Sequence, residues 1–268
     1  MTTATNARSR LTRWPALRVY EHHLLVYRRT YRGSLFTSFL SPILFLTAMG
    51  LGLGTLVDAN NPQGVQGIDY LVFLAPGLLA ATAMQTAAFE STYPIMAGMV
   101  WLKTFDAMVT TPIEPRNVVF GQLFWATTRL TLVCSVFLLV MFLFGAASFP
   151  SALLALPFAV LTGLAFAAPI QAFAATQRND TVFNAIFRFG ITPLFIFSGT
   201  FFPIEQLPVF LQPIAWVTPL FHGVALTRDA ALGSLELTST LIHLGVLLAF
   251  VAVGVIASFV TFRRRLVR

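Results

Sequence analysis

Charged residues are scarce in this 268-residue chain, at 10%, whereas hydrophobic residues make up 57%. A soluble globular domain carries about 25% charged residues. This chain therefore lacks the polar surface of such a domain, and we expect its apolar surface to face lipid. The net charge of +7 comes from basic residues that flank hydrophobic runs. That distribution indicates membrane topology and argues against a nucleic-acid partner.

Groups that bind metals or nucleotides are also few. Cys134 is the one cysteine, so no internal disulfide forms, and no cysteine–histidine cluster has metal-ligand spacing. The segment AGMVWLKT ends like a phosphate-binding loop, but Ala97 and Leu102 stand where that loop needs glycine. We expect no cofactor or metal in this chain and no enzymatic activity of its own. If ATP energises the protein, another chain must bind the ATP.

Long hydrophobic runs are what the sequence does contain. A spanning helix needs about 20 apolar residues. Six runs qualify and predict six transmembrane helices in an all-α membrane protein: Leu35–Val57, Tyr70–Phe89, Val118–Phe144, Ala152–Ala175, Phe183–Phe202 and Leu241–Phe262. We divide the chain into residues 1–33, a cytoplasmic tail with an amphipathic interface helix, and residues 34–268, the transmembrane domain.

A seventh apolar run, Leu207–Leu226, contains three prolines and cannot form one regular spanning helix. Irregular backbone at membrane depth survives only where protein or water shelters it. We therefore predict that residues 204–230, between the fifth and sixth spans, form two short helices that enter the outer face of the bilayer and return.

Basic residues orient the spans. With six crossings and the amino terminus in the cytoplasm, both ends lie inside, as expected for a multi-pass protein of the bacterial inner membrane. Seven crossings would place the basic carboxyl terminus outside. The residues that then lie inside are Arg8, Arg10, Arg13, Arg18, Arg28, Arg29, Arg32, Lys103, Arg116, Arg178, Arg263, Arg264, Arg265 and Arg268, and Arg228 is the basic residue left outside.

The segment before the first span predicts an amphipathic helix. Leu17, Tyr20, Leu24, Tyr27 and Tyr31 follow helical spacing and share one face, with arginines around much of the rest. Tyrosine and arginine suit the headgroup layer, so we expect the helix to lie on the cytoplasmic leaflet and to turn into the bilayer near Gly33. A cytoplasmic helix packed on protein is the alternative.

Residues 94–112, between the second and third spans, predict a short cytoplasmic helix bounded by prolines. A small helix rich in methionine and aromatic residues is suited to docking into a groove of a partner. The alternative is a helix on the membrane surface. The candidate docking residues are Met96, Met99, Trp101, Lys103, Phe105 and Met108.

Buried charges and aromatic clusters supply the other candidates. Arg129 lies deep in the third span and Glu90 at the end of the second, so we predict that they line an inward-facing cavity and pair; Arg188 is shallower and can reach the cytoplasmic surface. A packing pair without a transport role is the alternative. At the outer end, we predict a gate of Phe197, Phe201, Phe202 and His222. The alternative is that these large side chains face lipid and form no gate.

Three stretches carry a family resemblance: YLVFLAPGLLAATAMQTAAFESTY, WLKTFDAMVTTPIEPRNVVFGQLFWATTR and ITPLFIFSGTFFPIEQLPVFLQPIAWVTPLFHGV. They resemble the ABC-2 type exporter permeases, and among these the nodulation-factor export branch. The likeness runs from about Tyr70 to Arg228. Two positions depart from it: Gln122 stands where that branch commonly has an acidic residue, and Gly98 where it has a basic one.

The resemblance implies a membrane subunit that pairs with a second copy of itself and with two copies of a separate ATPase, which holds ATP and Mg²⁺. It implies a coupling helix within residues 94–112 and paired re-entrant helices over Ile204–Arg228. We therefore expect an exporter of an amphipathic or lipid-linked molecule, such as a lipo-oligosaccharide, a glycolipid or a hydrophobic drug, that contacts membrane lipid.

Two other classes are less consistent with the sequence. An ion-coupled secondary transporter usually has internal repeats and ionisable residues at midplane, whereas the predicted spans contain no aspartate and Glu90 lies at an edge. A membrane-embedded lipid transferase needs acids or histidines clustered on one face, and the sequence has no such cluster.

Overall fold

A computed structural model describes residues 14–61, 63–148 and 150–267, and regular structure within these ranges is helical. Their one extended pairing is an isolated bridge between Val65 and Ile68. The all-helical prediction is confirmed for the described chain. Residues 1–13, which carry most of the predicted cytoplasmic tail, lie outside the described ranges.

The helices follow one another with short connections. In chain order they are α1 (Pro15–Phe45), continuing through a π-helical segment (Leu46–Leu53) into α2 (Gly54–Asn60); α3 (Tyr70–Glu90); α4 (Tyr93–Met96), a second π-helical segment (Ala97–Trp101) and α5 (Thr104–Val109); α6 (Pro115–Leu143); α7 (Ser151–Ala174); α8 (Thr181–Ile186), a third π-helical segment (Phe187–Ile191) and α9 (Thr192–Phe197); a 3₁₀ turn (Ile204–Gln206); α10 (Gln212–Val217); α11 (Pro219–Leu232); and α12 (Leu237–Leu266).

Within the described ranges, five helical stretches are long and apolar enough to cross a membrane. They are Ser38–Asn60, Tyr70–Trp101, Pro115–Leu143, Ser151–Ala174 and Leu237–Leu266. The fifth predicted span, Phe183–Phe202, is instead a shorter apolar helix over Thr181–Phe197. At 1.5 Å per residue it covers about 26 Å, which is less than the ~30 Å hydrocarbon core of a bilayer.

The amphipathic segment does not form a separate helix. The turn predicted near Gly33 is absent, because α1 continues through that residue from Pro15 to Phe45. One glycine costs a helix only about 1 kcal/mol. The amino-terminal half of α1 packs closely on α6, where a Cβ added at Gly121 would lie 2.4 Å from the Val19 side chain. This packing keeps the segment helical and places one face of it on protein.

Helix α3 is the centre of the bundle. In the span that contains α3, 72% of the most apolar stretch of 18 residues is buried, compared with 17% in the span that contains α12. It packs against α6, α7 and α11. Small residues on α3, including Ala80, Ala83 and Ala87, are fully buried and let the neighbouring backbones approach closely. Helix α12 is correspondingly peripheral.

Proline and glycine shape the segment between α9 and α12. Gly199, just after α9, has φ +80°, a conformation that favours glycine and turns the chain. Pro213 and Pro219 lie in the first turns of α10 and α11, so these prolines begin helices and do not interrupt them. Helix α11 then packs along α3, α7 and α12. Two short helices therefore occupy the predicted segment 204–230.

Candidate functional site

An ion pair joins the second and third long helices. Arg129 donates from Nε to Oε1 of Glu90 over 2.9 Å, and the two side chains are only 12% and 14% exposed. Trp125, one turn before Arg129, donates from its indole N–H to Oε2 of Glu90 over 3.2 Å. Both carboxylate oxygens of Glu90 therefore have a donor. The structure thus places together the two charges that the sequence singled out.

The Arg129 guanidinium has one further partner and one group without a partner. Its Cζ lies 4.8 Å from the centre of the Tyr27 ring, which is a cation–π distance. Its Nη1 is buried and has no hydrogen-bond partner among the described residues. A guanidinium carries five N–H donors, and leaving buried donors unused costs free energy. The ion pair is therefore held by several contacts, and one of its buried donors is left unsatisfied.

Two cavities meet at this pair, and Glu90 and Arg129 line both of them. The first, which we call the polar cavity, has a volume of about 340 Å³; it is lined by Ser38, Ser41, Pro42, Phe45, Leu78, Thr82, Gln85, Thr86, Phe89, Glu90, Arg129, Val133 and Phe195. The second, the entry cavity, has a volume of about 410 Å³; it is lined by His23, Val26, Tyr27, Thr30, Glu90, Pro94, Trp125 and Arg129.

A neutral histidine lies in the wall of the entry cavity. Burial, and to a smaller extent the neighbouring His22, lowers the pKa of His23 from 6.5 to about 4. His23 is therefore uncharged at pH 7, and its Nε2 accepts a hydrogen bond from the amide of Gln122, 2.8 Å away. Its ring stacks on Trp125 with centroids 5.9 Å apart. This wall connects α1 to the ion pair through aromatic contacts.

The residues predicted to dock on a partner divide into two groups. Met96, Met99 and Phe105 are buried within the bundle, and Met108 is half-buried. Trp101 is 53% exposed, and Lys103 is exposed beside it. Leu102, which the sequence analysis did not select, is 71% exposed. We call the exposed run Trp101–Lys103 the docking surface; Asp106 and Ala107, on the following helix, are exposed as well.

Close packing holds the docking surface in place. A Cβ on Gly98 would lie 2.5 Å from the ring of Phe105, so only glycine fits there. Phe105 in turn contacts Phe262 of α12, with ring centroids 6.2 Å apart. Lys103 has φ +51°, which is uncommon for a residue with a side chain. A π-helical segment followed by such a residue is a feature found at functional sites.

Arg188 does not belong with the buried pair. It lies in the third π-helical segment and is exposed, with its guanidinium 5.7 Å from the ring centre of the adjacent Phe189. The grouping of Arg188 with buried charges is therefore corrected, because its side chain faces outward from the bundle.

The predicted outer-gate residues pack in different clusters. Phe201 packs edge-on against Phe195 at 5.0 Å, and its carbonyl accepts a hydrogen bond from the Tyr70 hydroxyl over 3.1 Å. Phe197 is 42% exposed. Phe202 packs instead on the small core of the segment before α11, around Ile204, Leu207 and Ala215.

His222 ties α11 to two neighbours. Its Nε2 lies 2.8 Å from the Trp216 carbonyl oxygen, which can only accept, so Nε2 carries the proton. Its Nδ1, 2.7 Å from Nδ1 of His243, then accepts from that ring. Because His222 is buried, both hydrogen bonds fix the position of α11 against α10 and α12.

Sequence reasoning missed Arg228 as a structural residue. It had been placed in an outer loop, but it donates to the carbonyls of Phe73 over 3.1 Å and Gly199 over 2.8 Å. Its Cζ lies 3.8 Å from the centre of the Phe73 ring. Nothing in the local sequence marked this contact, because it depends on how α11 packs on α3. Trp125 and Tyr27 had no local signal either.

A family model described as ABC-2 type transporter matches residues 19–232. Among curated proteins, Nodulation protein J of Rhizobium leguminosarum bv. viciae is 32% identical over 252 residues, which cover 94% of this chain and 95% of that protein. Nodulation protein J of Rhizobium meliloti (strain 1021) is 31% identical over 253 residues, covering 94% of each chain.

A more distant relative has a different description. The probable multidrug ABC transporter permease YbhR of Escherichia coli (strain K12) is 24% identical over 202 residues, which cover 74% of this chain and 54% of that protein. The matched family region contains the ion pair, both cavities and the docking surface.

Proposed function

Because the chain belongs to the ABC-2 type transporter family, a family of transporter subunits that are not themselves enzymes, we propose that it is the permease of an ATP-driven exporter. A separate ATPase binds ATP and Mg²⁺ and transmits its movement through the docking surface. Two copies of the permease pair with two copies of the ATPase. The alternatives of an ion-coupled transporter and a lipid transferase have no comparable support.

The docking surface is the observation that carries this proposal. Trp101 and Leu102 expose large apolar side chains beside Lys103, next to the helix that contains Glu90. Large exposed apolar side chains rimmed by charge mark interaction sites for proteins or membranes. Tryptophan is among the residues enriched at the hot spots of protein interfaces. The sequence has no phosphate-binding loop, so the energy source must lie on another chain.

The proposed topology has six crossings with both termini in the cytoplasm. Thr181–Phe197 is the fifth crossing, and α10 and α11 form the outer re-entrant pair. The contacts of α11 support this, because Thr227 donates to the Pro76 carbonyl near the outer end of α3. Arg263, Arg264 and Arg265 in the last turn of α12 support an internal carboxyl terminus.

The proposed cargo is amphipathic. Hydroxyl, amide and charged groups line the polar cavity together with the Phe45, Phe89 and Phe195 rings. A molecule with a polar head and an apolar tail satisfies both kinds of wall, and a free ion does not. Lipo-oligosaccharides, glycolipids and hydrophobic drugs all have this chemistry. We propose that cargo leaves the cytoplasm or the inner leaflet past the gate residues Phe197, Phe201, Phe202 and His222.

Two matched tryptophans test the docking surface. Trp101 and Trp216 are both 53% exposed, but they lie on different segments. We expect Trp101→Ala to reduce co-purification of the ATPase and permease-stimulated ATP hydrolysis by at least about tenfold, the loss typical of an interface hot spot. Trp216→Ala should leave both unchanged. Equal effects of the two substitutions would contradict docking at Trp101.

A further inference from the structure

We infer that the polar cavity is a selective binding site for the uncharged, hydrogen-bonding headgroup of the cargo, which Thr82, Gln85 and Thr86 contact. The inference rests on the proposed export function and specifies which headgroup is accepted. It follows from three properties of the cavity: hydrogen-bonding groups without partners, the absence of net charge in its walls, and its size.

One face of α3 supplies most of the hydrogen-bonding groups. Thr82, Gln85 and Thr86 follow helical spacing and lie on the cavity side together with Glu90. Among the described residues they make no hydrogen bond, unlike Thr127, Thr131 and Thr162, whose hydroxyls each donate to the carbonyl four residues earlier. Gln85 is exposed, and Thr82 and Thr86 are half-buried. These groups are therefore available to a ligand.

The charges of the cavity wall cancel. Among the described residues that line it, Glu90 and Arg129 are the charged ones, and they neutralise each other in one ion pair. Both oxygens of Glu90 already accept a hydrogen bond within the bundle, from Arg129 and from Trp125. An anionic headgroup would lose its hydration without gaining an opposite net charge. An uncharged group that hydrogen-bonds with Thr82, Gln85 or Thr86 avoids that penalty.

The size of the cavity suits one ring-sized group. A volume of about 340 Å³ corresponds to roughly ten water molecules at ~30 Å³ each. The apolar side is formed by Phe45 and Phe195, whose rings meet edge-on at 6.0 Å. These rings provide a surface for the part of the cargo that joins the headgroup to its tail.

Binding can be measured without the ATPase. The full chain is placed in phosphatidylcholine nanodiscs with Trp125 as its one tryptophan, after Trp14→Phe, Trp101→Phe and Trp216→Phe. Trp125 donates to Glu90 and lies within reach of any change in the ion pair. The probes share one octyl chain: octyl glucoside with hydroxyls, N-octylacetamide with an amide, octyl phosphate as the anion and octylamine as the cation.

We expect a saturable change in Trp125 fluorescence with one or both uncharged probes, and at least about tenfold weaker binding of both charged probes. Which uncharged probe binds more tightly identifies hydroxyl or amide as the recognised group. Gln85→Leu and Thr86→Val should each weaken binding about fivefold to tenfold, the effect of one lost hydrogen bond. Thr131→Val, on α6 outside the polar cavity and bonded to its own helix, should leave binding unchanged.

Equal affinities for all four probes, a signal that does not saturate, or unchanged binding in both cavity variants would overturn the inference. The assay contains neither ATP nor ATPase. Failure of nucleotide coupling would therefore contradict the proposed function and leave this result standing. Loss of headgroup selectivity with intact ATP-driven transport would contradict only the inference.

Discussion

The Glu90–Arg129 ion pair is the common wall between the polar cavity and the entry cavity. Glu90 is the last residue of α3, and Pro94 of the adjoining α4 lines the entry cavity beside it. The docking surface connects to Glu90 through the second π-helical segment and α4, which a two-residue turn at Ser91 and Thr92 joins to α3. The ion pair is therefore placed to respond when a partner pushes on that surface.

Charge reversal tests the ion pair. Glu90→Arg and Arg129→Glu each bury two like charges, and breaking a buried pair costs about 3–5 kcal/mol. We expect both single variants to lose thermal stability and ATP-driven export. The double reversal should recover much of the stability, although the Trp125 N–H loses its carboxylate acceptor.

The exposed pair Arg18–Glu21, also 2.9 Å apart, is the matched control for this experiment. Its reversal should change stability by less than about 1 kcal/mol, because solvent screens the two charges. If the single reversals and the double reversal at Glu90 and Arg129 export equally well, the pair has no role in transport.

Close packing at Gly98 gives a second prediction. Gly98→Ala places a Cβ 2.5 Å from the ring of Phe105, which is fully buried and cannot move aside. We expect Gly98→Ala to lower the stability of the protein by about 1–3 kcal/mol and to reduce its stimulation of the ATPase. Gly190→Ala is the control, since nothing lies within 4 Å of its added Cβ. Normal stability and stimulation in Gly98→Ala would show that the segment repacks freely.

The third prediction concerns pH. The pKa of His23 is lowered from 6.5 to about 4 by burial, so its folded form binds protons less readily than its unfolded form. Stability should therefore fall as pH decreases from about 6.5 to 4, and stay constant with respect to this group above 6.5. Thermal melting in detergent at several pH values measures this. His23→Gln should reduce the dependence, and an unchanged dependence would assign it to other groups.

Arg228 and Arg188 form a matched pair for a fourth prediction. Lysine at position 228 cannot reproduce the planar contacts to the Phe73 and Gly199 carbonyls and the Phe73 ring. We expect Arg228→Lys to lower stability by about 1–3 kcal/mol through an unsatisfied buried carbonyl. Exposed Arg188→Lys should stay within about 0.5 kcal/mol. Similar melting temperatures for both variants would show that Arg228 does not hold the outer segment.

Much of the fold was predictable because length and hydropathy act locally. The run Tyr70–Phe89 appears as α3, ending one residue later at Glu90. Prediction of the fifth span at Phe183–Phe202 was too long, because the helix ends at Phe197 before Gly199 turns the chain. The turn expected at Gly33 was wrong because packing of α1 on α6, a tertiary contact, keeps the helix continuous.

The sequence predicted the site only where a charged residue stands in an otherwise apolar segment. Opposite charges in apolar segments need partners, so Glu90 and Arg129 could be paired across 39 residues of sequence. The role of Gly98 depends on the position of Phe105, and the depth of Arg228 depends on how α11 packs. Neither the docking surface at Leu102 nor the His222–His243 contact has a local pattern. Leu102 follows a π-helical segment, and the two histidines meet only because α11 packs on α12.

Transport by the reconstituted chain tests the central claim most directly. The purified permease is placed in proteoliposomes with or without its ATPase, and movement of an amphipathic cargo is followed after addition of ATP and Mg²⁺. We predict transport only when the ATPase and ATP are both present, with loss of transport in Trp101→Ala. Equal transport by the permease alone, without any nucleotide-hydrolysing partner, would contradict the account.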